Sequence, residues 1–580
     1  MKYTLCRVFL ISFITLFFAV SPAHAQTVRN YTFFEGTQYP LRVTWVFGDE
    51  PGPTIMVQGG VQGDELSGFF TGQLLTKCKL HKGNLIIIPR ANEPSILRRS
   101  RQINVDLNRR FDKEYNKFYE DRLAKAIRFL LNNADGFIHL HEGSGFYNPK
   151  YINKMRNPKR YGQSLIIDAT VYKNIPLADL CQRAIDSLNS KIPNKSYWFT
   201  LFNTDTFDKT THYPEMLKSL TCYALVERGI PAMAVEVSKD IMDLEWKVRH
   251  QLQATVYLLK EFGLEVEIPK FSFPSEGKAT GLKILINGSP LSGKSVNLVR
   301  GGPVSTSGQG DVVSGSILEP AVAVYASDRP NLNLLTAPRM ALSSFPALQV
   351  SLDGDTTTTA KVRWSGQQES SPEPHGPVFL CWLNGNPHFV PTSGVLKVLE
   401  GDQFIIEGVL GSNRNEILNL KGFVASATVN SGQDIGYEII IDPSNFMDKY
   451  KLKSHDGVDR YRIARETPGK RGAEFYLSVF PRIVKALRLS RSHGDDMLVD
   501  WKRDAVREVP ADRYVLDEAW SNGKLDKIQP FINSLPVAWG EYFDVESGKE
   551  VTVTLRHSTT FELVGGMTFK GLAQMQTSLD

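Results

Sequence analysis

The sequence predicts an α/β domain built on a mostly parallel or mixed sheet with helices on both faces, followed by two or more small β domains of sandwich or barrel type. Three observations carry that expectation. The 580 residues exceed what one hydrophobic core can organise, so three or four domains are expected. From about residue 27 to residue 267, short β-rich runs alternate with amphipathic stretches, the pattern of strands covered by helices. Past Ile268-Pro269 the texture changes to Gly, Ser, Thr and Val in short alternating runs, which suit antiparallel β structure.

Taken in order, residues 1–25 read as a secretory signal. Lys2 and Arg7 flank its start, residues 8–20 are apolar, and Ala23-His24-Ala25 is a small-x-small cleavage site before Gln26. The apolar run is short for a membrane span, and no cysteine follows the cleavage point to carry a lipid. The mature chain is therefore expected in the periplasm, soluble and without a transmembrane anchor. Residues 26–267 form the α/β domain. Its strands are expected at 54–57, 84–88, 136–140, 165–167 and 232–237, and its helices at 65–75, 119–131, 177–188 and 240–262. In such a sheet the active site lies beyond the carboxyl ends of the strands. Residues 268–364 read as a β domain, with 281–286 a clear alternating run. Residues 365–377 (SGQQESSPEPHGP) form a polar linker. A second β domain is expected over 378–450, with strands at 378–383, 403–409 and 437–441. Residues 451–580 read as a C-terminal α+β region. Within it 475–480, 551–555 and 561–564 look like strands, and 473–486 fits either strand or helix.

Composition is that of a globular protein, 42% hydrophobic and 22% charged. The net charge of +5, or +3 once Lys2 and Arg7 leave with the signal, is too weak to argue for nucleic acid. Cys78, Cys181, Cys222 and Cys381 are widely spaced, which indicates neither a zinc knot nor a disulfide scaffold and leaves room for one disulfide of unassigned pairing.

Four pieces of the first domain sit at strand ends or in the turns after them. In Gln58-Gly59-Gly60-Val61-Gln62-Gly63-Asp64-Glu65 a strand enters a glycine turn and then a helix start. Gln62 and Glu65, three apart, can there converge on one ion. In Ile138-His139-Leu140-His141-Glu142-Gly143, His141 falls at the carboxyl end of a strand. These three side chains leave one position for water, the layout of a catalytic zinc site. The segment Val105-Asp106-Leu107-Asn108-Arg109-Arg110-Phe111 offers the amide of Asn108 and the guanidinium of Arg109, donors suited to a carboxylate. In Ala234-Val235-Glu236-Val237 a lone carboxylate inside a buried strand needs a partner or a task, which makes Glu236 a candidate general base.

With these residues in view, residues 40–262 resemble the zinc carboxypeptidases of the funnelin type, whose pattern runs His-x-x-Glu, Asp-Leu-Asn-Arg, strand-end His, strand Glu. The chain has GGVQGDE, VDLNRRF, IHLHEG and PAMAVEV in that order. Glutamine in place of the first histidine resembles the peptidoglycan D,L-carboxypeptidase branch that determines helical cell shape, which also carries β domains after the catalytic one. The resemblance implies a zinc-carboxypeptidase fold with one Zn2+ per chain, held by Gln62, Glu65 and His141. It implies Glu236 as the base that moves a proton from water to the leaving amine, and Arg101 as the group that stabilises the oxyanion, with Arg99 its rival. It implies Asn108 and Arg109 as a clamp on the terminal carboxylate. The implied substrate is the muropeptide tripeptide L-Ala-γ-D-Glu-meso-diaminopimelate, cut before the diaminopimelate to leave a dipeptide, so that wall remodelling would affect cell shape. The β domains would position the enzyme on the cell wall or on a periplasmic protein.

Blander readings stand beside these. The loss of the histidine at position 62 would leave a catalytically inactive module that binds cell-wall peptides or scaffolds an assembly. A zinc deacylase of the aspartoacylase and succinylglutamate desuccinylase type shares the Asp-Leu-Asn-Arg motif, and a carboxypeptidase of other specificity is a further alternative. His139 lies on the same strand face as His141 and is expected to pack behind it. Glu142 reads as a turn carboxylate, Arg98 and Arg99 as surface charge, Tyr147 as a packed loop tyrosine, and Asp64 as a favourable charge at a helix N-terminus.

Overall fold

A computed structural model describes residues 26–572, apart from 272–281, 292–293, 300–302, 311–319, 331, 337–338, 341–344, 367–375, 411–415, 428–430, 454–456, 467–471 and 502–504. The proposed signal and most of the proposed linker lie outside the described residues.

The first domain is a mixed sheet. Its strands are β1 (Thr27–Phe33), β2 (Leu41–Phe47), β3 (Glu50–Gln58), β4 (Lys79–Ile88), β5 (Gly136–Gly143), β6 (Ser164–Ile167), β7 (Thr200–Asn203), β8 (Ala232–Ser238) and β9 (Glu265–Glu267). They lie in the order β1-β2-β4-β3-β5-β8-β6-β7, with β9 beside β4. The four central strands β4, β3, β5 and β8 are parallel, and their immediate neighbours β2 and β6 run antiparallel to them. Helices α1 (Leu66–Leu75), α2 (Tyr119–Leu131), α3 (Leu177–Asn189), α4 (Leu220–Val226) and α5 (Leu244–Glu261) cover the sheet. Alternation assigns each strand residue to one of two cores. Ile55, Val57, Leu85, Ile87, Ile138, Leu140 and Val235 pack with α1, α3 and α5. Met56, Ile86, Ile88 and Phe137 pack on the opposite face with α2. Phe137, His139 and His141 therefore share a face, and the polar pair replaces apolar residues only toward the carboxyl end.

The β domains follow, and among the described residues no α-helix occurs after α5. The first, from Leu282 on, is cored by Ile284, Ile286, Leu298, Val324, Leu348 and Val350. The expected boundary at 450 is corrected. The core that begins at Phe379 continues through Tyr461, Ile463, Phe475 and Leu477 to Val479, because strands Asp459–Glu466 and Glu474–Phe480 complete the second domain's sheet. The α+β expectation for 451–580 is corrected too: the remainder is a third, all-β domain with its own core from Val484 to Phe569. The ambiguous stretch 473–486 belongs to two strands, Glu474–Phe480 and Val484–Arg491, parted at Pro481, which has no N–H to give a ladder. The expected strand 561–564 begins only at Leu563, since Phe561 turns the chain with φ +64°. All four cysteines after residue 25 are buried and free.

Candidate active site

The four pieces meet at the carboxyl ends of β3, β5 and β8. Register does part of the work: parallel pairing sets Glu236 directly beside His141. Beyond β3 the chain turns through Gly59 and Gly60, and Gly63 packs so close to the backbone of Ser95 that a Cβ would lie 2.0 Å from its carbonyl carbon. That approach drops Gln62 and Glu65 over the strand ends, and Glu65 is the N-cap of α1. Together they line a cavity of about 340 Å³ with Arg101, Asn108, Arg109, His141 and Glu236.

Inside it, His141 Nδ1 faces Glu65 Oε2 at 2.9 Å, and the Glu142 N–H donates to the same oxygen at 3.1 Å. Arg101 Nη1 and Lys239 Nζ approach Glu65 Oε1 at 3.8 and 3.7 Å. The Gln62 amide donates from Nε2 to both oxygens of Asp106, at 3.1 Å each. A carboxylate can only accept, so this contact fixes which end of the amide is nitrogen. Oε1 accepts no hydrogen bond among the described residues and stays available. Arg101 donates to Asp106 at 2.8 Å. Burial works against the charge on both partners, but their attraction outweighs it, raising the Arg101 pKa and lowering that of Asp106. Enclosure drives Glu236 the other way. Burial, with Glu65 adding to it, pushes its carboxyl up to about 7 against the pull of His141.

The donors fit a zinc ion. An imidazole nitrogen, one carboxylate and one neutral amide oxygen are hard-to-borderline ligands of the right kinds. Among the described residues no three His, Cys, Asp or Glu side chains gather in metal-binding geometry, since this set has two of them and a glutamine.

The other residues fall into place around this group. His139 is buried beneath His141 with ring centroids 4.1 Å apart, its Nε2 is 3.3 Å from the Gln58 amide, and burial drives its pKa well down. Glu142 is buried, accepts from the Ser67 N–H at 2.7 Å and pairs with Lys247 at 2.8 Å. Asp64 pairs with Lys239 at 2.7 Å. Arg99 is bound to the first β domain and does not line the cavity. Tyr147 stands two rings behind the wall, stacked on Tyr161, which stacks on the lining residue Phe202. Lys239, Thr204, Tyr213 and Met216 also line the cavity and were not singled out from the sequence. Lys239 had a detectable signal, a cation just past a strand end three residues after Glu236. Thr204 and Tyr213 come from loops and Met216 from the short 3-10 helix Pro214–Lys218, none of them within a motif.

Residues 39–275 match the family model of carboxypeptidases controlling helical cell shape, catalytic domain. The first domain is similar to this carboxypeptidase family over nearly its whole length. The α/β domain is accordingly of carboxypeptidase type and is called the carboxypeptidase domain below. No curated protein matches the sequence. Among solved structures, the tripeptide-bound cell shape determinant Csd4 of Helicobacter pylori is 22% identical, covering 74% of this chain and 96% of its own, with a TM-score of 0.41. The mDAP-bound form of Helicobacter pylori Csd4, a D,L-carboxypeptidase, gives 23%, 74%, 97% and 0.41. A succinylglutamate desuccinylase/aspartoacylase from Rhodobacter sphaeroides gives 17%, 45%, 71% and 0.29.

Proposed function

We propose that the chain is an exported, periplasmic, zinc-dependent D,L-carboxypeptidase that cuts the D-Glu–diaminopimelate bond of peptidoglycan tripeptide stems, leaving dipeptides and so affecting cell shape. The observation that carries this reading is the Gln62 amide. A residue left over from a lost metal site would have no reason to have its amide held by the half-buried Asp106 in the cavity that Glu65 and His141 also line. The match to the carboxypeptidase family model supports the reaction class.

Zinc held by Gln62, Glu65 and His141 would supply Lewis acidity toward the scissile carbonyl and the attacking water. Glu236, set beside His141 at the strand end, takes the water proton and returns it to the leaving amine. Arg101, half-exposed toward the cavity, donates to the carbonyl oxygen as charge grows there. Asn108 and Arg109 grip the terminal carboxylate, which confines cleavage to the chain end. The Asn108 side chain is preset by the Leu220 N–H at 3.1 Å.

Mass spectrometry of purified disaccharide-tripeptide after incubation with the protein tests the reading. Release of diaminopimelate that a chelator abolishes is expected, and Glu236→Gln should lower the rate by about 10³-fold or more. No cleavage by protein that holds zinc would refute the substrate. No cleavage and no zinc would leave a binding module.

A further inference from the structure

The segment between β4 and α2 carries Arg101, Asp106, Asn108 and Arg109, and the carboxypeptidase domain does not hold it alone. The hairpin turn Asp353-Gly354-Asp355 of the first β domain, where Leu352 pairs with Asp355, sits on it. Arg90 donates to Asp353 Oδ1 at 3.2 Å. Arg99 donates to the Asp353 carbonyl oxygen at 3.1 Å and to Asp355 Oδ2 at 2.6 Å. Arg98 donates to the Pro330 carbonyl oxygen at 2.8 Å, and Leu97 packs with Ala321 and Ala323. The contact leaves no space: a Cβ on Gly354, whose φ is +90°, would lie 2.6 Å from the Ile96 carbonyl oxygen and 2.9 Å from Arg99 Cβ. The second β domain touches the same segment, where the Ala427 N–H donates to Asn104 Oδ1 at 3.3 Å.

The residue so gripped is strained. Arg99 has φ +48°, a left-handed conformation that a branched-off side chain adopts at a cost and keeps only when its surroundings impose it. Its neighbour Ser100 accepts the Gly63 N–H at 3.0 Å through its carbonyl, one residue from Gln62. The residue after that is Arg101, bonded to Asp106, and Asp106 holds the Gln62 amide. Contacts therefore run without a break from the hairpin turn to both Gln62 and Arg101.

We propose that Asp353, Gly354 and Asp355 are positioning residues for the carboxypeptidase site: the turn pins Arg99 in its left-handed conformation and thereby sets the places of Arg101 and Gln62. The catalytic consequence rests on the roles given to those two residues above, whereas the mechanical coupling does not. On this view the first β domain is a working part of the active site rather than a tether.

Two variants of the full-length chain test it. Gly354→Asn keeps a residue tolerant of positive φ while placing a side chain against Ile96 and Arg99. Asp355→Ala removes an exposed bridge and leaves the β core untouched. Hydrogen exchange at the Gly63 amide and across 97–106, the visible spectrum of cobalt-loaded protein, and kcat and KM per bound metal are measured. For Gly354→Asn we expect exchange at Gly63 about tenfold faster, an altered cobalt spectrum, and kcat lower on the order of tenfold with KM changed less than about twofold. Asp355→Ala should shift the same readouts in the same direction by less. Exchange in strand Ala347–Leu352 should stay as in the parent. Parental exchange at Gly63 in Gly354→Asn, with the strand intact, overturns the proposal. If that variant loses protection in the strand as well, Asp355→Ala decides, and parental behaviour there overturns it. Should the parent protein neither cleave the tripeptide nor bind metal, the functional reading falls, while the exchange measurement still settles the coupling.

Discussion

The carboxypeptidase domain shows two contrasting regions, an aromatic seam on one flank and an ionised pocket at the strand ends. In the seam, Phe531 and Phe561 of the third β domain insert among Phe33, Phe34 and Phe129, with Phe129–Phe531 centroids at 5.0 Å and Phe129–Phe561 at 5.3 Å. Four of these rings are fully or almost fully buried. In the pocket, Arg101 lies 3.8 Å from Glu65 and 2.8 Å from Asp106, Lys239 lies 3.7 Å from Glu65, and Glu236 lines the same cavity. Apolar burial in the seam adds stability without asking for a particular charge. The pocket does the reverse, holding ionisable groups partly out of water for what they can do. Stability and chemistry are thus stored apart, and each should yield to mutation separately.

The largest effect expected on stability is in the seam. Phe561→Ala should cost about 3–5 kcal/mol, read as a lowered denaturant midpoint, and leave kcat and KM per folded molecule unchanged. A variant that kept its stability but lost activity would break the separation. Next comes the pocket. Asp106→Ala frees the Gln62 amide to rotate, and zinc affinity should fall roughly 10–100-fold, as for other losses of a group that orients a ligand. Titration with a competing chelator checks this. Unaltered affinity would mean that Asp106 does not aim the glutamine.

The two regions were not equally legible in the sequence. The pocket was, because its residues sit at strand ends whose alternation is visible, as in Ile138-His139-Leu140-His141. Even there Asp106 passed as one letter of a motif, since nothing local says that it faces a glutamine 44 residues earlier. The seam was invisible. Phe531 and Phe561 look like ordinary strand or turn residues, and their partners lie some 400 or more positions away in the chain. The break between the second and third β domains was missed for a related reason. Alternation marks 475–480 as a strand but does not say which sheet it joins, because its pairing with 459–464 is long-range information. The clamp on Arg99 was likewise hidden: the adjacent loop arginines Arg98 and Arg99 read as surface charge until the first β domain is placed against them.

The smallest expected effect bears most directly on what the pocket costs. In metal-free protein the Glu236 carboxyl ionises at about 7, whereas in the unfolded chain it ionises near the ordinary glutamate value. Between those two values the folded protein holds a proton that the unfolded chain has released. Stability must therefore fall as pH rises through that window and level off above it. The side chain is partly open to the cavity, so the loss is discounted for solvent screening to on the order of 1 kcal/mol. Glu236→Gln, neutral at every pH, should remove this part of the slope and be the more stable protein above pH 7 when metal is absent. Denaturant unfolding of chelated parent and variant at several pH values between about 4 and 8 reads the difference directly. Parallel curves would mean that the carboxylate is already solvated. Glu236 would then be no more costly to fold than a surface glutamate, and the contrast between seam and pocket would lose its energetic half.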